Sequence, residues 1–269
     1  MRRRVLLVVG GLTIGFLLLY GIGCHFAFEE TSGFSAGTIT IRDRALTGAT
    51  MLGLAMFATL FLGAVLATFL TMGVVRGDAE TGMLQPLIAR PSSRSTILLA
   101  RIAGAAAISA VYVLVVFLIT VAITSAIGGW SPDELAASGL LLAAAVVIVV
   151  FISAASSVWL TSTAQGIAVL MIYGGGITAG LLGQIGDSLD SDALVDISKA
   201  VSWALPFEAL YQGAIHALTS STGGAAGLVI NLGPFGGGQE GGIGLAVWTL
   251  VFLSGMAAVA VWGFRRRDL

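Results

Sequence analysis

The sequence predicts an all-α integral membrane protein with six transmembrane helices, and three observations predict it. First, of 269 residues 57% are hydrophobic and only 10% charged, whereas a soluble domain carries roughly 25% charged residues. So few charges cannot clothe a water-facing surface of this size, and a mean hydropathy of +1.00 agrees. Second, six uncharged stretches reach the length of about 20 apolar residues that a helix needs to cross the hydrocarbon core. Third, the arginines sort to one side of those stretches.

The first span is Val5 to about Phe28, preceded by Arg2, Arg3 and Arg4. Its 24 uncharged residues exceed the roughly 7–15 of a signal-peptide core, and no small-x-small cleavage site follows, so it reads as a signal anchor. The second span lies within Ala45–Val75, 31 residues without a formal charge. The third runs from about Ile102 to Ile127. Leu135–Gly186 is uncharged over 52 residues, too long for one span and right for two. The most polar stretch inside it, Thr161 to Gln165, is the expected break. The sixth span is about Ile243 to Phe264.

Basic residues concentrate on the cytoplasmic side of membrane proteins. Placing both termini, the 76–101 loop and the 161–165 turn inside gathers Arg2, Arg3, Arg4, Arg76, Arg90, Arg94, Arg101, Arg265, Arg266 and Arg267 there, ten of the 13 basic residues. The remaining segments hold Arg42, Arg44 and Lys199 with eleven of the 14 acids: Glu29, Glu30, Asp43, Asp133, Glu134, Asp187, Asp190, Asp192, Asp196, Glu208 and Glu240. The expected topology is therefore a single membrane domain over 1–269, in the plasma membrane, with both ends cytoplasmic.

Two hydrophilic segments interrupt the spans. The external segment 187–242 begins with helical periodicity. Leu194, Ile197, Val201 and Leu205, then Leu210, Ile215 and Leu218, predict one or two small amphipathic helices at the outer interface, broken at Pro206. Its second half carries ten glycines between Gly223 and Gly244 and reads as irregular chain. The other segment is the cytoplasmic loop 76–101.

Absent motifs narrow the function. No G-x-x-x-x-G-K-[ST] phosphate loop is present, and the single lysine, Lys199, falls on the external side, so the chain has no such route to ATP hydrolysis. H-E-x-x-H and the G-x-S-x-G elbow are missing as well. Glu29-Glu30 begins the E-E-x-x-x-R pattern of intramembrane prenyl-protein proteases, but Phe34 stands at the arginine position. The lone Cys24 allows no intramolecular disulfide and reads as a packing residue. His25 and His216 lie on distant segments, so no metal or cofactor is expected. A net charge of −1 gives no footprint for nucleic acid. No span carries an ionisable residue at depth, His25 near the end of the first excepted, which argues against a proton-coupled carrier.

The 76–101 loop carries the pattern E-x-G-x-L-x-x-L-x-x-x-P-x-S-R in Glu80, Gly82, Leu84, Leu87, Pro91, Ser93 and Arg94, with Arg101 entering the next span. It resembles the loop after the second span of type-2 ABC transporter permeases. The ending Phe264-Arg265-Arg266-Arg267-Asp268-Leu269 and the step Leu205-Pro206-Phe207-Glu208 resemble the same family, whose six-span layout matches the whole chain. Met83, in place of the usual threonine, and Pro86, inside the expected short helix, depart from the pattern. Proline is tolerated only in a first turn, so that helix would start near Gln85 or kink there.

The resemblance implies an exporter subunit whose loop forms a short coupling helix docked on a separate ATPase subunit. Asp78, Glu80, Arg90 and Arg94 would make its polar contacts, with Gly82, Leu84, Leu87 and Pro91 shaping it. From charge alone the segment is a solvated loop anchored to anionic headgroups; the ordered pattern favours docking. It also implies a second permease copy, identical or paralogous, meeting the first through spans 1 and 5, where Gly11, Gly15, Gly176 and Gly180 have the small-x-x-x-small spacing of close helix contacts. Scattered Thr59, Thr68, Thr71, Ser153, Ser156 and Ser157 would line a pathway. Two other readings compete: a membrane assembly protein without transport, and an intramembrane enzyme, for which catalytic side chains deep in the spans are missing.

Overall fold

The computed structural model describes residues 2–34, 41–72, 94–132, 134–219 and 242–266. Among them every regular element is a helix: α1 (Arg2–Phe34), α2 (Ile41–Thr71), α3 (Arg94–Gly128), α4 (Leu135–Ser156), α5 (Ser162–Ser188), α6 (Asp192–Ala204), α7 (Pro206–Thr219) and α8 (Ile243–Arg265). Six of the eight, all but α6 and α7, are long and apolar enough to cross a membrane. The six expected spans are therefore present. The expected short helix of the 76–93 segment and the glycine-rich stretch up to Gly241 lie outside the described residues.

The helices alternate in direction, which gives the bundle two faces. The ends of α2, α4 and α8 and the starts of α3 and α5 share one face, where Arg265 Nη2 lies 3.5 Å from Ser95 Oγ. The opposite face holds the α3–α4 and α5–α6 connections. There Phe28 packs against Gly128 and Trp130 against Gly48, and Trp203 and Trp248 lie with ring centroids 5.6 Å apart. The Trp248 indole N–H donates to the Trp203 carbonyl at 2.8 Å. Paired indoles with one wet edge suit a membrane interface.

α4 is the centre of the bundle. It touches α2, α3, α5, α7 and α8, and its buried residues, from Ser138 and Gly139 to Ala154 and Ala155, run round most of its circumference, leaving the Leu140 side open. A helix apolar on every side is a core helix. Gly63 of α2 allows a close crossing: a methyl group there would lie 2.6 Å from Val113 and 3.0 Å from Val146. α1 and α8 are peripheral and expose Leu12, Leu18, Leu19, Val247 and Leu250. Hydroxyl pairs tie α1 to α3, with Thr13 Oγ1 2.6 Å from Tyr112 Oη and Tyr20 Oη 2.5 Å from Thr124 Oγ1.

Three boundaries differ from the sequence reading, each for a local reason. α3 starts at Arg94, eight residues before Ile102, because Ser95-Thr96-Ile97-Leu98-Leu99-Ala100-Arg101 has no breaker and continues the helix. The break between the fourth and fifth spans falls at 157–161, not 161–165. Thr161 is extended and its carbonyl accepts from Gln165 N at 2.8 Å, so the polar Ser162–Gln165 stretch is the first turn of α5 rather than a loop. The third difference, at α6 and α7, creates the candidate site.

Candidate functional site

α5 ends in a Schellman turn: Ser191 N donates to the Gly186 carbonyl at 2.8 Å, and Asp190 sits in the left-handed region at φ 54°. Aspartate tolerates that conformation better than most side chains. The turn reverses the chain, so α6 runs back along α5. The contact is made over one glycine stripe. Gly176, Gly180, Gly183 and Gly186 recur every three or four residues and so share a face. A methyl group at Gly186 would lie 2.8 Å from Leu194 Cβ, and one at Gly183 2.9 Å from Ser198 Cβ. Gly180 faces the Glu208 carboxyl and Gly176 faces the Phe207 ring.

The register fixes how deep the chain goes. Gly176 lies about 20 Å along α5 from Ser162 at 1.5 Å per residue, roughly half the length of that helix. The α6–α7 hairpin therefore re-enters the bundle to near its middle. Pro206 opens α7 at the position where its missing N–H is no loss. α7 is then buried against α4, with Phe207, Ala214 and Leu218 at 0% exposure. Backbone that reverses at membrane depth is tolerated where protein surrounds it. The expected surface helices at the outer interface are thus corrected for α7: its apolar stripe is covered by α4 and α5.

This placement buries Glu208, which the sequence reading counted among the external acids, to 2% exposure. Ser202 Oγ donates to Oε2 at 2.6 Å, and the Gln212 amide donates to Oε1. Burial pushes the carboxyl above its ordinary range, against the two hydrogen bonds, which pull it down. Phe207 stacks on Tyr173 of α5 with centroids 5.6 Å apart. The hydroxyls of Tyr173 and Tyr211 are buried without a partner among the described residues. A periodicity signal for this existed: Glu208, Tyr211, Gln212 and Ile215 share one helical face, so the glutamate was on the apolar side from the start.

A second polar cluster lies at the other face of the bundle. Thr71 ends α2, Ser153 is in the last turn of α4 and Gln165 is in the first turn of α5. Thr71 Oγ1 is 2.6 Å from Ser153 Oγ. Gln165 Nε2 donates to the Ser153 carbonyl at 3.0 Å and to Ser153 Oγ at 3.1 Å, with Thr71 Oγ1 at 3.4 Å. Thr59, Thr68, Ser153 and Ser157 are likewise buried between helices, and Thr68, Thr71 and Ser157 also bond carbonyls of their own helices. In this conformation they do not line an open path.

The other singled-out residues fall as follows. Asp78, Glu80, Gly82, Leu84, Leu87, Arg90 and Pro91 lie outside the described residues, and Arg94 is the first residue of α3. Gly11 and Gly15 face open space, whereas Gly176 and Gly180 are filled by α7 of the same chain. Cys24 is fully buried beside Tyr20 and Thr124, while the exposed His25 pairs with Glu29 at 3.6 Å. Among the described residues no three His, Cys, Asp or Glu side chains come together as a metal site.

Six helices long and apolar enough to cross a membrane, around a buried centre and with a re-entrant hairpin before the last, define a multi-pass membrane protein. The chain belongs to the ABC-2 transporter family: the profile described as "ABC-2 family transporter protein" matches residues 14–269. Proteins of this family are membrane components of transporters and work with ABC ATPase partners. No curated protein matches the chain significantly.

Proposed function

We propose that the chain is the membrane-spanning subunit of an ATP-driven exporter in the plasma membrane, with both termini cytoplasmic. A separate ABC ATPase docks on the 76–101 segment through Asp78, Glu80, Arg90 and Arg94, and its closure rocks the spans in alternating access. The observation that carries the reading is the ordered Glu80-to-Arg94 pattern, placed between the second and third spans of a family member. Two permease copies, or this chain and a paralogue, form the pathway. The open Gly11–Gly15 face of α1 supports a contact there. Gly176 and Gly180 already pack against α7, so the open side of α5, at Gly174 and Gly175, is offered in their place.

Co-purification from native membranes tests the partner, and Glu80→Ala and Arg94→Ala test the docking segment. The expected result is a bound ABC ATPase whose activity and transport become uncoupled in both variants. An ATPase that never co-purifies, or wild-type coupling in both variants, would overturn the reading.

A further inference from the structure

The Thr71–Ser153–Gln165 cluster joins three spans at the end of α2 that leads in sequence to the segment proposed to receive the ATPase. Thr71 and Ser153 are fully buried and Gln165 is 1% exposed. Only four residues separate Thr71 from Arg76 in the sequence, so that segment is joined to the Thr71 end of α2 through very little chain. α5 also rides directly on this end of α2: a methyl group at Gly166 would lie 2.6 Å from Met72 Cε.

The hydrogen bonding of the cluster is directional and incomplete. Ser153 O can only accept, which fixes the Gln165 amide with its NH2 group toward α4. Gln165 Oε1 is then buried without a partner among the described residues. A buried acceptor without a partner is unfavourable, so the arrangement holds α2, α4 and α5 together without satisfying every polar group among the described residues. A junction of exchangeable hydrogen bonds has discrete arrangements, which is what transmission between distant sites requires.

We propose that Gln165, with Thr71 and Ser153, is the positioning joint through which movement of the 76–93 segment is passed to α4 and α5. The proposal rests on the ATPase-coupling reading above. Its test uses the permease–ATPase complex in a Cys24→Ala background, with a single thiol introduced as Trp159→Cys. Trp159 lies in the α4–α5 turn and is 45% exposed. Thiol labelling is followed with ATP, with a non-hydrolysable analogue and without nucleotide.

ATP is expected to change the labelling rate in the parent complex. Gln165→Met, which keeps the length of the side chain, and Thr71→Val are expected to abolish that change while the ATPase remains bound. Thr71→Ser, which keeps the hydroxyl, should restore it. Retention of the ATP-dependent change in both Gln165→Met and Thr71→Val, with the ATPase bound, overturns the joint and leaves the coupling reading standing. Loss of ATPase binding in those variants also counts against it, because a joint beyond the docking segment should leave docking intact. If the parent binds no ATPase, the coupling reading falls and takes the joint with it.

Discussion

Two adjacent glycines of α5 should respond to the same substitution in opposite ways. A methyl group at Gly175 meets nothing within 4 Å, whereas one at Gly176 runs into the Phe207 ring, with two further ring carbons at 3.1 and 3.2 Å. Glycine-to-alanine in a helix interior is worth about 1 kcal/mol of stability at either position. Overpacking a filled site costs about 1–3 kcal/mol, and Phe207 has little freedom to yield because it is fully buried and stacked on Tyr173. Within one protomer Gly175→Ala should therefore stabilise by about 1 kcal/mol. Gly176→Ala should fall about 1–3 kcal/mol below it, and in the matched pair the propensity gain cancels.

The assay is thermal unfolding of the detergent-purified protein, run at two protein concentrations. If Gly176 packed against a second copy, its substitution would act through association and the loss would depend on concentration. An intrachain contact predicts a loss that does not. Equal stability of the two variants, or a Gly176→Ala penalty that shrinks on concentrating the protein, would refute the hairpin packing described here.

Three further outcomes are expected. The Glu208 carboxyl is raised by burial above its ordinary value of 4.5, so the folded state prefers its protonated form; stability should fall as pH rises through the raised value, and Glu208→Gln should flatten that dependence in unfolding midpoints measured across pH. At Asp190, whose φ is 54°, Asp190→Gly should be neutral or stabilising, while Asp190→Val should lose more than the roughly 1–2 kcal/mol typical of a left-handed residue, which the same unfolding assay reads directly. A double-mutant cycle of Tyr20→Phe and Thr124→Val should give a coupling of about 0.6 kcal/mol, the average for interhelical hydrogen bonds in membranes, and no more than about 1.7 kcal/mol, and no coupling would deny the α1–α3 bond.

The six spans were legible because crossing a bilayer imposes a length and composition that no tertiary contact can override. The Leu205–Pro206 break between α6 and α7 was legible for a similarly local reason, proline's fixed geometry. What escaped was everything decided by packing between helices. Glu208 looked like one acid among eleven on the external side until α5 and α4 closed over it. The glycines at 176 and 180 announced a close approach without saying to what, since a second copy and a returning hairpin leave the same spacing. Gln165 was taken for part of a turn because polarity alone does not separate a solvated amide from one donating to Ser153. The family resemblance was readable in the order of Glu80, Pro91, Ser93 and Arg94, short matches that gain weight only from their sequence along the chain.

The returning hairpin also changes how this protein would look to a chemist mapping its topology. Residues 207 to 218 are nearly all inaccessible, so introduced thiols there would resist water-soluble reagents from either side, as they would in a crossing helix. A map built on protection would tally seven crossings and assign the C-terminus to the wrong compartment. Reagents applied to both ends of the chain, at positions flanking α1 and α8, would give the even count that the protected interval obscures.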